Sequence, residues 1–472
     1  MLKCQKLNTI RRVYMSRFRW FSILVVSILW TSSLFAVTDE EIFRAFSLNL
    51  TTPGARAIGM GGAFIGRADD ATAAETNPAG LTILARPEIS LEYRHRDDRQ
   101  FDTSIINLPI TNLDSNPSAP HGVDFALANF NASDNLNSVD AIGFASYVHP
   151  FSNWTFGFSR HELINVEARL VGDVTASPFH FIEANSFSGN SEIQDVNYSF
   201  SGATKLGDNI SIGGTFKISD FSIKSNIGAR QKAQPGFGQH FTSVYDTSDV
   251  RVGFNLGVLW NLGPNVSVGG VYKNEPKFDL KTVVTNVDRA GGPQQVIDNV
   301  DFDVPDQLGF GLSVSAANVT FNFDVVRVFY GQLENVESGF SLFTHLLPFP
   351  KDQLRFRIDD GTDVHIGGEY LIRGESTVLA FRGGFYRQSR NLFYFVSAPS
   401  GGDFLAPIFG TDRPDPLNHL TVGGGVTFGH VQFDLAGDFT LEEELRQDSL
   451  LLSKKEVSHR GFELILSSVV RF

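Results

Sequence analysis

The chain has one cysteine and only three methionines in 472 residues. The cysteine, Cys4, lies in a basic N-terminal stretch. If that stretch is removed on export, neither disulfides nor thiolate metal sites are available. Long apolar runs are also missing. The best of them, Phe21–Phe35, is shorter than the roughly 20 residues a membrane helix needs. Positive charge is scarce, with 39 Lys and Arg against 52 Asp and Glu. A chain this acidic is a poor partner for nucleic acid, whose phosphates require a basic footprint. Catalytic signatures are absent as well. The histidines show no His-Glu-x-x-His spacing, and no Gly-x-Ser-x-Gly elbow occurs. The segment "GMGGAF" lacks the third glycine and the preceding strand of a phosphate loop. No enzyme activity, metal or cofactor is expected.

What is present begins with an address. Lys3, Lys6, Arg11, Arg12, Arg17 and Arg19 precede the apolar stretch, and Ala36 is a small residue at a plausible cleavage point. Residues 1–36 therefore read as a signal peptide. Their loss moves the formal net charge from −13 to −19 by removing six basic residues. The 44 glycines and 43 phenylalanines point to abundant turns and aromatic surface.

From about Pro87 the sequence alternates with period two. Val250, Val252, Phe254, Leu256, Val258, Trp260 and Leu262 fill every second position, and Val431, Phe433, Leu435, Phe439 and Leu441 do likewise. One apolar and one polar face is the strand signature. A soluble sandwich shares that pattern, but connection lengths separate the two. Short links near 149–153, 206–209, 262–265, 315–318, 372–376 and 428–430 alternate with long ones near 97–138, 172–190, 226–242, 286–299, 334–361 and 389–416. Short turns at one end and long loops at the other characterise outer-membrane barrels. The count between them is about 14 strands, an all-β transmembrane antiparallel barrel over residues 87–472. The alternation slips near Asp220–Ile223 and Val325–Val328, where bulges are expected. The final strand, "GFELILSSVVRF", ends on Phe472 and resembles the C-terminal signal read by the barrel assembly machinery.

A barrel of this size leaves a lumen that side chains alone do not fill. Residues 37–86 precede the first strand, "EISLEYRHR", and are available to plug it as a hatch. Within them "ADDATAAETNPAGL" carries Asp69, Asp70, Asn77, Pro78, Ala79 and Gly80. This stretch resembles the hatch of the FadL/TodX family of outer-membrane transport proteins. "VPDQLGFGLSV", Val304 to Val314, is similar to that family's Pro-acid-x-x-x-x-Gly pattern.

The resemblance implies passive import of hydrophobic molecules, typically long-chain fatty acids or aromatic hydrocarbons. Ligand is captured by extracellular loops, held beside the hatch and released through a side opening in the wall. The apolar loop stretches "GFSLFTHLLPFP" (339–350) and "NLFYFVSAP" (391–399) suit capture. Arg56 and Arg67 in the hatch, with Arg94, Arg251, Lys205, Lys217 and Lys273 on inferred lumen faces, are candidates for meeting an anionic head group. The expected surroundings are outer-membrane lipid and lipopolysaccharide, with the barrel a monomer rather than a trimer. Two alternatives remain. PorV-type barrels share the Gly-Met-Gly-Gly…Asp-Asp-Ala…Asn-Pro-Ala-Gly start and serve a secretion machine. An open porin would pass small polar solutes.

Overall fold

A computed structural model of the chain describes residue 50 and residues 52–472, except 110–123, 176–184, 232–239, 288–292, 336–354, 391–393, 398–414, 442 and 448–451. The expected signal peptide and the 339–350 loop lie outside the described residues. Of the 391–399 loop, only Tyr394–Ser397 is described, as a short strand.

The strands are β1 Glu88–Pro109, β2 Asp124–Phe151, β3 Trp154–Thr175, β4 Asn185–Leu206, β5 Ile210–Gln231 and β6 His240–Gly263. Next come β7 (Val266–Asn274, resuming as Lys277–Val287) and β8 (Pro293–Asp303, resuming as Gln307–Ala316). The set finishes with β9 Val319–Val328, β10 Gly361–Arg373, β11 Thr377–Gln388, β12 Leu417–Phe428, β13 (Val431–Thr440, resuming as Glu443–Gln447) and β14 Leu452–Arg471. Each pairs antiparallel with its neighbours, and β1 pairs with β14 from Glu88↔Arg471 onward, which closes a 14-stranded barrel. Closure leaves no free strand at the edge of the sheet. The chain enters and leaves the barrel at its short-turn end, where Phe472 N–H donates to Pro87 O at 3.0 Å.

All six short links are tight turns. The first four long ones are shorter than the polarity pattern suggests, because the strands beside them run on, while the last two span 329–360 and 389–416. β1, β3, β4 and β5 each have 22 residues and β2 has 28, against the 9–11 that cross a bilayer. They extend well beyond the membrane on the long-loop side.

The expected bulges at 220–223 and 325–328 do not exist. Asp220 to Ile223 pair in unbroken register with β4 and β6, as do Val325 to Val328 with β8 and β10. What changes there is the polarity of the two faces. Along the membrane-level part of β5, Phe216 and Ile218 face lipid while Thr215, Lys217 and Ser219 are buried in the lumen. One step further Asp220 is exposed outside and Phe221 is fully buried inside. On β9, Val326 and Val328 likewise point inward as Arg327 faces out. Once a strand leaves the bilayer its outer face meets water, and its inner face is free to build an apolar core.

Candidate functional site

Residues 52–86 sit inside the short-turn half of the barrel. They form two short helices, α1 (Ala55–Gly59) and α2 (Ala73–Thr76), then a 3₁₀ turn Pro78–Ile83. So little regular structure follows from the composition: small residues supply few contacts, and Pro78 fixes φ where the new turn starts. Asn77 does three things. Its Oδ1 accepts from Ala79 N–H at 3.3 Å, and its Nδ2 donates to Ile65 O at 3.0 Å and to Val258 O of β6 at 3.1 Å. Ala79 is fully buried. At Gly80 an added Cβ would lie 2.1 Å from Ala68 O, so no side chain fits. Asp70 Oδ1 accepts from Thr72 N–H at 3.0 Å and from its hydroxyl, which steadies the turn into α2.

The wall meets this segment with bare backbone. A Cβ at Gly213 would lie 2.4 Å from Pro78 C, one at Gly257 2.2 Å from Asn77 Oδ1, and one at Gly269 2.2 Å from Ile65 O. On the opposite wall, Gly367 faces Met60 O at 2.0 Å and Gly384 faces Gly61 N at 2.1 Å in the same sense. Wall side chains then bind hatch backbone. Asp324 Oδ2 accepts from Phe64 N–H at 2.6 Å and Ile65 N–H at 2.7 Å. Thr421 accepts from Gly61 N–H at 2.9 Å, Ser267 donates to Gly66 O at 2.6 Å, and Glu92 accepts from Gly54 N–H. Sequence reading identified the hatch but missed this seat. The spaced inward glycines of β5–β12 were its only available signal.

Most of the candidate cations are engaged. Arg56 Nη1 is 2.7 Å from Asp69 Oδ1, and its Nε is 3.1 Å from Glu369 Oε2. Glu369 also binds Arg382 at 2.8 Å, and Arg382 binds Asp434 at 2.8 Å. Arg67 Nε lies 2.7 Å from Asp69 Oδ2. Burial would raise the Asp69 carboxyl, but Arg56 and Arg67 hold it below the ordinary value. Burial prevails at Asp70, whose carboxyl is pushed up despite Arg56. Arg94 bridges Glu92 at 2.8 Å and Glu463 at 3.2 Å. Arg251 is paired with Asp249 near the long-loop end, and Lys217 with Glu275 at 2.6 Å. Lys205 is exposed near a short turn. Lys273 differs: it faces a cavity and has no ion pair among the described residues.

That cavity, of about 40 Å³, lies above the hatch. Ile58, Gly61, Gly62 and Ile65 form its floor, and Val271, Lys273, Gln307, Val326, His365 and Tyr386 are among its walls. Beyond it the lumen is closed by an apolar cluster. Phe221 stacks on Phe278 at 4.7 Å and on Phe302 at 5.1 Å, with Leu163, Ile164 and Leu280 around them. The two Phe partners come from the outer hairpin of β7 and β8. That hairpin departs from the wall at Glu275-Pro276 and returns at Val304-Pro305-Asp306, the motif read in the sequence. Asp306 accepts there from Tyr272 OH at 2.7 Å and Glu275 N–H at 2.9 Å.

The wall is broken beside this cluster. β2 and β3 pair up to Phe144↔His161 and again from Asn137↔Ala168, but not between. Both strands carry an extra residue in that stretch, β2 at 142–143 against β1 and β3 at Leu163 against β4. Leu163 and Ile164 turn into the apolar cluster, leaving the β2–β3 ladder interrupted.

A family model for outer membrane protein transport proteins (OMPP1/FadL/TodX) matches residues 42–389. No curated protein matches the chain. Among solved structures, a Pseudomonas aeruginosa FadL homologue superposes with a TM-score of 0.64 at 14% identity, covering 90% of this chain and 100% of that one. The toluene transporter TbuX of Ralstonia pickettii gives 0.56 at 17% identity, and TodX of Pseudomonas putida 0.57 at 16%, each covering 90% of this chain and 99% of the other. Likeness at this identity establishes the shared barrel fold.

Proposed function

Because the chain belongs to the OMPP1/FadL/TodX family of outer membrane transport proteins, we propose that it carries hydrophobic molecules passively across the outer membrane. Fatty acids or aromatic hydrocarbons are the expected solutes; related solved barrels are toluene transporters. The observation that carries the reading is a sealed floor beside a broken wall. The hatch is bonded to the barrel all round, whereas the β2–β3 ladder lacks its hydrogen bonds next to an apolar cluster. An apolar solute gains by staying out of water, so the route leads from the long-loop side through the cluster and sideways into lipid. The same filled lumen argues against an open porin.

The test exploits the scarcity of cysteine. Ile142→Cys with Leu163→Cys places two thiols across the interruption, to be bridged by a bifunctional maleimide. Bridging should cut uptake of labelled fatty acid and toluene by about tenfold or more beyond whatever loss each alkylated single-cysteine variant shows. Full uptake through the bridged barrel would place the exit elsewhere.

A further inference from the structure

The interruption between β2 and β3 is spanned by a side chain. Ile142 lies in the extra-residue stretch of β2 and has a ladder partner in neither β1 nor β3. It is 51% exposed on the outer face, where a main-chain carbonyl without a partner is costly against lipid. Arg160 of β3 supplies the bond: its Nη1 donates to Ile142 O across the gap. Arg160 follows Phe156 and Phe158 on the outward face of β3 and is level with Tyr198 of β4 and Ile218 of β5. That is the last lipid-facing row before the exposed Asp220. The other arm of the guanidinium, Nη2, lies 3.7 Å from Glu162 Oε1, which also accepts from Gln194 Nε2 of β4. Behind this bridge Phe144 and Leu163 are buried, with Phe144 edge-on to His161 at 6.1 Å between centroids.

We infer that Arg160 is a latch: its bond to Ile142 O holds the side opening shut, and the swing of this one side chain sets how often the wall opens. The inference rests on the transport reading above. A ladder bond joins two main chains and breaks only when the strands separate. The Arg160 bond breaks by rotation about the side chain's own torsions, as fast as rotamers change and with the backbone in place. Its position agrees. A charge facing lipid destabilises a barrel, less so towards the interface, and the aliphatic stem lets the charged end reach up to that interface. Where the ladder is continuous, two residues earlier, the same face carries Phe158. Glu162 keeps Gln194 as a partner when the guanidinium leaves, so opening strands one carbonyl rather than a charge.

The experiment reads access through the gap. Leu163→Cys lies just inside it, and Leu280→Cys lies in the same apolar cluster but on the outer hairpin of β7. Each is labelled with N-cyclohexylmaleimide in liposomes, with and without a change at Arg160. Arg160→Met keeps an apolar stem and removes every donor. It should speed labelling at position 163 by about tenfold, the weight of one charge-assisted hydrogen bond, and leave position 280 unchanged. Arg160→Lys still offers a donor and should label like the parent at both. Heat-modifiable mobility identifies folded barrels, and Arg160→Gln, a shorter side chain, stands in if Arg160→Met misassembles. An unchanged rate at 163, or an equal rise at 280, overturns the latch. Uptake of labelled fatty acid by the Arg160 variant, without added cysteines, should rise severalfold. Faster labelling at 163 with unchanged uptake upholds the latch and faults the transport reading, since solute then leaves elsewhere.

Discussion

In the short-turn half of the barrel the lumen is lined by Ser, Thr, Asn, Arg and Glu, and lipid meets Phe, Leu and Val. Further along the same strands the arrangement is reversed, with Phe221, Phe278 and Phe302 inside and Asp220 and Arg327 outside. The two halves solve different problems with one backbone. Near the membrane the interior must hold an irregular segment whose amides and carbonyls need partners, so wall side chains are polar and glycines let the segment come close. Outside the membrane the exterior is wet, and the interior can be stabilised by apolar burial. Mutations should therefore separate the halves.

The largest effect should come from removing residues 37–80. The strands keep their ladder, because each satisfies its neighbours. The lumen loses its filling, and planar-bilayer recordings should rise from near-silent to steady conductance. Unchanged silence would mean that this segment does not seal the barrel.

Gly367→Leu comes next. Its Cβ would fall 2.0 Å from Met60 O, where backbone meets backbone. Overpacking typically costs 1–3 kcal/mol and occasionally more, and here about 3 kcal/mol or above is expected. The folded fraction by heat-modifiable mobility should drop, with leak current in the remainder.

Phe221→Ser tests the other half. It removes the ring on which both hairpin phenylalanines stack, a loss of about 3–5 kcal/mol to local packing. Proteolysis between residues 277 and 303 should accelerate severalfold while conductance stays near zero. A leak in this variant would show that the halves are coupled.

The smallest effect separates two adjacent acids. Asp69 has a lowered carboxyl pKa in the fold, so its stabilisation is present above the ordinary value and lost as pH falls through the lowered one. Asp70 has a raised one, so its stabilisation is present at low pH and lost as pH rises through the raised value. At pH 7, Asp69→Asn should increase leak events by a few fold, whereas Asp70→Asn should change little or reduce them.

Strand pattern, turn positions and the Asn77-Pro78 turn were legible because each depends on nearby residues. Alternation shows that two faces differ but not which of them is inside. The reversal at Phe221 and Val326 therefore looked like a slipped register. The glycine seat was hidden for a related reason. A glycine has no side chain to mark its face, and Gly367 is matched to a backbone atom of Met60 far away in sequence. Charge likewise marked Arg56 and Arg67 as candidate cations without revealing that Asp69 and Glu369 engage them, or that Lys273 has no such partner among the described residues.

The seat also constrains how the molecule can be put together. Hatch atoms lie closer to the wall glycines than any side chain would permit, on opposite walls at once, and β1 and β14 are hydrogen-bonded along the seam that shuts the ring. A folded hatch cannot be threaded into such a tube after closure. A hatch that folds first therefore requires the strands to assemble around it, with the β1–β14 seam forming last, whereas one that enters after closure has to do so unfolded.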